Sequence, residues 1–90
     1  MEQQLFNSGQ IVATPGALEL TEHGIDLLTY LLRHLSGDWG DIGKEDKEEN
    51  DFSYVNGFRI ISAYQTYAGR LWIITEADRS ATTLLLPSEY

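Results

Sequence analysis

The chain divides near Gly57 into two halves whose sequence patterns favour different secondary structures. Residues 10–57 show helical spacing and helix-end signals, whereas residues 58–87 are rich in the β-branched and aromatic residues that favour strands. Helices segregated from strands are typical of α+β folds, with the helices packed on one face of an antiparallel sheet. We therefore predict an α+β fold in which two or three helices pack on three or four antiparallel strands.

Helix-end signals and apolar patterning predict two helices in the first half. Thr14 and Pro15 suit the N-cap and first position of a helix that runs to about His23, where Gly24 follows as a stop. The segment 25–35 is apolar around most of its circumference, which predicts a second, mostly buried helix.

A third helix is predicted over about 42–55 from an acidic segment. Lysines and acids alternate there at the spacing of i,i+4 pairs, Lys44–Glu48 and Lys47–Asp51. Asp41 is a candidate N-terminal cap, and Asn56-Gly57 predicts the end. We expect the apolar side chains Phe52 and Val55 to anchor this helix in the core.

The second half predicts a meander of three antiparallel strands over 58–66, 71–75 and 81–86, and the run Ile11–Ala13 adds an edge strand. Residues 1–8 are predicted to form a loose lead-in. Both faces of the predicted strands carry apolar residues, although a sheet with one wet face should alternate. Three interpretations fit this pattern: a small sheet that simply carries some exposed apolar residues, helices that cover both faces, or one face that meets another protein, such as a second copy in a homodimer.

Length and composition exclude several classes of protein. Ninety residues suit one domain spanning 1–90 and are too few for a complete Rossmann-type enzyme domain. The absence of cysteine excludes disulfides and thiolate metal sites. No apolar run approaches the roughly 20 residues of a membrane span, and the N-terminus lacks a secretory signal pattern, so we expect a cytoplasmic protein with no membrane partner.

A formal charge of −8 argues against free nucleic acid as a ligand and favours a basic protein surface as partner. No cofactor or metal is predicted, because the chain contains no intact nucleotide, zinc or calcium motif. The run Gly37–Lys44 departs from a P-loop in its spacing and places Glu45 where a Ser or Thr is needed.

The densest group of chemically useful residues is the loop after the second helix. His34 and Asp38 are close enough in sequence to form an acid–base pair, and Trp39 offers an aromatic anchor for recognition. A structural turn with Trp39 in the core explains the same residues. A second cluster, Glu76, Asp78 and Arg79, joins two strands and suits either a site with His34 or a polar turn held by an ion pair.

The acidic segment has three interpretations: a solvated helix face, a docking surface for a basic protein, or an imitation of DNA phosphates. We expect the contact surface to combine the Trp39 loop with the acidic helix, through Asp38, Trp39, Asp41, Glu45, Glu48 and Glu49.

Several runs together resemble a family of small bacterial proteins found on plasmids and other mobile elements. They include Ser36–Asp41, Arg59–Tyr64, Trp72–Ser80 and the terminal Leu85–Tyr90, and the likeness extends over nearly the whole chain from Gln10. Members are sometimes labelled type I restriction-modification subunits, although 90 residues cannot fold a methyltransferase. The resemblance implies a mobile-element setting and carries over no catalytic residue.

The sequence thus favours a non-catalytic protein-binding or accessory factor. The alternatives are a small enzyme with an acid–base site at His34 and Asp38, and a DNA-mimic inhibitor that counters host defences.

Overall fold

A computed structural model describes residues 4–90 as helices packed on a four-stranded sheet, which confirms the α+β class. In chain order the elements are β1 (Gln10–Ala13), α1 (Pro15–Glu22), α2 (Leu27–Leu35), α3 (Lys44–Asn56), β2 (Ile60–Thr66), β3 (Gly69–Thr75), β4 (Ala81–Leu85) and a short 3-10 turn (Pro87–Glu89).

The sheet contains the predicted antiparallel strands but is mixed, because its first strand runs parallel to its neighbour. The strand order is β1-β4-β3-β2, and the pairs β2–β3 and β3–β4 form the predicted antiparallel meander. β1 adds the edge strand but runs parallel to β4, with Ile11 opposite Thr82. No hairpin joins β1 to β4, and strand direction at such a distance in sequence is not fixed by a local turn.

Local capping chemistry places the first two helices close to their predicted positions. The Thr14 side chain accepts a hydrogen bond from the Ala17 N–H, and Pro15 occupies the first turn of α1. α2 begins two residues later than predicted, because the Asp26 side chain caps it through the Leu28 N–H.

α3 packs differently from the prediction. It begins at Lys44 after Gly43, whereas the Asp41 carboxylate accepts a hydrogen bond from the Gln65 N–H and does not cap the helix. Asn50 and Ser53 form the buried side of α3. Phe52 and Val55 point outward, 58% and 70% exposed, so the expectation that they anchor the helix in the core was wrong.

Residues 4–8 belong to the packed structure, and residues 1–3 of the predicted loose lead-in lie outside the described residues. The Leu5 N–H donates to the Leu35 carbonyl at 2.8 Å. Phe6 is buried, with its ring edge-on to His34 and stacked near Trp39. The N-terminal segment therefore closes the core beside the loop that follows α2.

The chain's last turn is bound to the start of α1. The Glu89 carboxylate accepts hydrogen bonds from the Thr14 hydroxyl, the Gly16 N–H and the Leu86 N–H. These hydrogen bonds hold the pKa of Glu89 below its usual range. A carboxylate at this position also suits the positive end of the α1 dipole.

Candidate functional site

His34, the residue on which the acid–base hypothesis depends, lies in the core with no exposed surface. Its ring is hydrogen-bonded to side chains of two adjacent strands, β2 and β3. Nδ1 lies 2.6 Å from the Ser62 hydroxyl and Nε2 lies 2.9 Å from the Thr75 hydroxyl. From Thr75 the chain of hydroxyls continues at 2.7 Å to Thr82, which donates to the Ser8 carbonyl at 2.7 Å.

This chain of hydrogen bonds places a proton on Nε2 of His34. Because the one proton of Thr82 goes to the Ser8 carbonyl, the Thr75 proton must go to Thr82. The His34 Nε2–H then donates to Thr75, and in the neutral ring Nδ1 accepts from Ser62. The neutral imidazole satisfies every partner, and burial lowers the pKa of His34 to about 3.

Asp38 is paired with another residue. Its carboxylate accepts from Arg33 Nε at 2.6 Å and from the Gly40 N–H at 3.2 Å. The hydrogen bond from Arg33 is the main cause that holds the pKa of Asp38 below its usual range. Since both ring nitrogens of His34 are bonded to hydroxyls, the predicted His34–Asp38 acid–base pair does not form.

Trp39 is 4% exposed, and this corrects its predicted role as a partner anchor. Its ring lies edge-on to His34, and its indole N–H donates to Asp51 of α3 at 2.9 Å. The loop around Trp39 thus serves the core and fastens α3 to it, which is the structural turn that the sequence also allowed.

The turn 76–79 holds structural contacts and is not joined to His34 by any hydrogen bond. The Arg79 guanidinium donates to the carbonyls of Ser53 and Phe58 at the end of α3, at 3.0 and 2.8 Å. Asp78 accepts from the Ser80 N–H. Glu76 lies 3.8 Å from Arg59, which is the ion pair of the polar-turn interpretation.

The acidic residues separate onto two sides of α3. Glu49 lines a groove of about 460 Å³ with Asp41, between α3 and the sheet face that carries Trp72. Glu45 and Glu48 share the outward side with Phe52 and Val55, because the spacing i, i+3, i+7, i+10 falls on one side of a helix. The predicted contact residues therefore do not form one surface.

The outward side of α3 carries an apolar patch that sequence reasoning missed. Phe58, 54% exposed, stacks on Phe52 with ring centroids 5.8 Å apart, and Val55 lies one helical turn along. We call Glu45, Glu48, Phe52, Val55 and Phe58 the α3 surface. The signal was present in the sequence, because Phe52 and Val55 fall on the helix side of Glu45 and Glu48.

The end of α3 fixes this patch in place. Gly57 adopts a left-handed conformation, φ 79°, and the N–H groups of Gly57 and Phe58 both donate to the Ser53 carbonyl. The Phe58 bond is the 6→1 bond of a Schellman cap and the Gly57 bond is the 5→1 bond of the αL motif; an apolar contact between the residue after the cap and the last turn accompanies such ends. Here that contact is Phe58 on Phe52, and more than half of each side chain remains exposed.

Within residues 4–90, no group of three or more histidine, aspartate or glutamate side chains is arranged to hold a metal ion. None of the helices in the described part of the chain is long and apolar enough to cross a membrane.

Comparisons with protein-family models, with curated proteins and with solved structures found no match to this chain. The resemblance to plasmid-borne proteins accordingly stays a prediction.

Proposed function

We propose that this chain is a non-catalytic protein-binding factor that docks on a basic partner through the α3 surface, and that it serves a plasmid or mobile element. The observation that carries the proposal is the exposure of three large apolar side chains side by side: Phe52 at 58%, Val55 at 70% and Phe58 at 54%. Contiguous apolar side chains rimmed by charge are typical of protein interaction sites.

The patch is preorganised for binding. The Schellman cap and the guanidinium of Arg79 hold the end of α3, so Phe58 lies against Phe52 before any partner arrives. Little side-chain freedom is then lost on association, and aromatic residues held in this way are frequent hot spots.

The acidic residues around the patch indicate what kind of partner it would bind. Between residues 44 and 51 the chain has five acids against two lysines, and the ion pairs found within residues 4–90, Arg33–Asp38 and Arg59–Glu76, do not include Glu45 or Glu48. A partner that places an apolar side chain on Phe52 and Val55 and basic residues beside these carboxylates would match both parts of the surface.

The alternatives have less support. The enzyme hypothesis depended on His34 and Asp38, which have separate partners. Imitation of DNA phosphates needs an array of carboxylates, whereas the outward side of α3 is interrupted by Phe52 and Val55. We therefore propose recognition of a protein through apolar and charged contacts together.

The proposal is tested by site-directed photo-crosslinking in the native host. A benzoyl-phenylalanine at position 55 should capture one discrete partner, and the same group at Leu28, an exposed apolar residue of α2, should not. Capture of the same proteins from both positions would contradict the proposal.

The captured partner is then purified and its affinity measured by calorimetry. Phe52→Ser should weaken binding at least about tenfold, with Leu28→Ser as the matched control. Glu45→Gln with Glu48→Gln should weaken it too, whereas Glu19→Gln with Glu22→Gln on α1 removes the same charge and should not. Equal effects of the two charge pairs would show that only net charge matters. A partner whose DNA competes for the site would favour the DNA-mimic alternative.

A further inference from the structure

The two edges of the sheet differ in how they are covered. At the β2 edge, the Ala63 N–H donates to the Trp39 carbonyl at 3.3 Å, and the Asp41 N–H donates to the Ala63 carbonyl at 2.6 Å. The Asn50 side chain donates to the Ile61 carbonyl and accepts from the Ile61 N–H. The β2 edge is thus occupied by the chain itself.

The β1 edge has no such cover among residues 4–90. The N–H groups of Gln10 and Thr14 donate to the carbonyls of Ser80 and Leu84. With the two-residue period of a strand, those of Ile11 and Ala13 therefore point away from the sheet. Within residues 4–90, the N–H and C=O groups of Ile11 and Ala13 have no protein partner. Ile11 and Val12 are 52% and 40% exposed.

β1 lacks the sequence features that usually prevent an open edge from pairing with another strand. Natural proteins block an open edge with lysines, prolines, bulges or inward charges, because an unpaired edge is a template for another strand. β1 contains neither proline nor charge, and residues 3–18 form the longest stretch of the chain without a charged side chain. The contrast with the doubly covered β2 edge marks β1 as a pairing edge.

We propose that β1 pairs with β1 of a second copy of this chain, antiparallel about a two-fold axis at Val12. Only residues whose backbone groups point outward can exchange hydrogen bonds, so Ile11 faces Ala13 of the second copy and Val12 faces Val12. The two Ile11–Ala13 pairs exchange both N–H···O=C bonds, and the Val12 pair is the close, non-hydrogen-bonded kind. The two four-stranded sheets then form one continuous sheet.

The lack of charge supports a second copy at this edge. Two chains of charge −8 repel each other, and the repulsion is reduced where both present the uncharged residues 4–18. A two-fold axis at Val12 sets apolar residues opposite apolar residues, and a self-complementary patch is what a two-fold dimer requires. This interface is separate from the α3 surface and does not depend on the proposed function.

The absence of cysteine allows a direct test with one engineered thiol. In a non-hydrogen-bonded antiparallel pair the Cα atoms lie about 4.5 Å apart, within the range of about 4.4–6.8 Å for disulfides. Val12→Cys should therefore form a disulfide-linked dimer rapidly under mild oxidation. Gln10→Cys is the register control, because its two thiols would lie four residues apart along the paired strands, about 13 Å.

Sedimentation equilibrium supplies the second measurement, on chains without an engineered thiol. The unmodified chain should dimerise with rising concentration, and Val12→Lys should stay monomeric because it places two cations together on the axis. Val55→Lys should dimerise normally and lose only the α3 partner. A chain that stays monomeric up to high micromolar concentration, or equal cross-linking of Val12→Cys and Gln10→Cys, would overturn the proposal.

Discussion

His34 shows how one buried side chain links stability to pH. Its pKa is lowered to about 3 in the folded chain by burial, and an unfolded histidine titrates near 6.5. Between these values the unfolded state binds a proton that the folded state does not bind. The contribution of His34 to the free energy of unfolding is therefore fully present above about pH 6.5 and decreases as the pH is lowered. From about pH 7 to about pH 5, the free energy of unfolding should decrease by about 2 kcal/mol.

Urea unfolding at several pH values measures this slope. His34→Gln removes the titrating group, so the chain should be less stable at neutral pH but should lose less on acidification. His23→Gln changes the other histidine, which is exposed, and should keep the original slope. Parallel pH profiles for the unmodified chain and His34→Gln would contradict the assignment.

Arg79 is a second residue whose contacts define its role. Its guanidinium donates to the carbonyls of Ser53 in α3, of Phe58 just after it, and of two residues in the turn 76–79. Arg79→Ala should reduce the free energy of unfolding by about 1–3 kcal/mol, because these carbonyls lose a charged donor. Arg79→Lys should recover only part, since an ammonium cannot reproduce the planar fork.

The matched control is Arg59→Ala. Arg59 pairs with Glu76 at 3.8 Å on the surface, where both side chains are more than two-fifths exposed. Such pairs contribute about 1 kcal/mol or less. Denaturant titration of the three variants compares them, and equal losses for Arg79→Ala and Arg59→Ala would argue against the capping role.

At the scale of elements, Asn50 acts as a substitute strand partner. Its amide satisfies both backbone groups of Ile61 at the β2 edge, at 2.8 and 3.3 Å. Asn50→Ala should cost about 1–3 kcal/mol and leave this edge open to other chains, with more aggregation on heating. Asn56→Ala removes a single exposed hydrogen bond to the Phe52 carbonyl on the same helix. It should change the stability and the aggregation on heating very little.

Elements whose ends depend on local chemistry were predictable from the sequence. Thr14 and Pro15 mark the start of α1, and Gly57 marks the end of α3. The boundary between α3 and β2 was misplaced by two residues, because Phe58 completes the helix cap instead of beginning the strand. The direction of β1 was not predictable, because its partner β4 lies some 70 residues away.

Of the residues in the candidate site, the sequence predicted only the charged ones. Glu45 and Glu48 lie on the surface as expected, whereas the exposed aromatic side chains near them are Phe52 and Phe58, because Trp39 is buried. The rotation of α3 decides this, since Asn50 turns toward β2 and carries Phe52 outward. A polar contact 11 residues away in sequence thus marks the side of α3 that faces the sheet, and composition alone does not reveal it.

For the whole molecule, the charge of −8 gives the two proposed associations opposite salt dependences. Added salt screens the repulsion between two copies, so dimerisation through β1 should strengthen as ionic strength rises. The same screening weakens the attraction of the α3 surface for a basic partner. The change should be greatest between about 0.01 and 0.1 M, where the Debye length falls from about 30 to about 10 Å.

Sedimentation equilibrium of the chain alone and calorimetry with its partner, over one series of NaCl concentrations, measure the two effects separately. Glu45→Gln with Glu48→Gln should flatten the salt dependence of partner binding, while dimerisation should still strengthen with salt because most of the charge remains. If dimerisation weakened with salt, the contact between copies would have to involve opposite charges, and an interface built on residues 3–18 would be excluded because that segment has none. If partner binding strengthened with salt, apolar contacts at Phe52, Val55 and Phe58 would dominate, and the partner would not need to be basic.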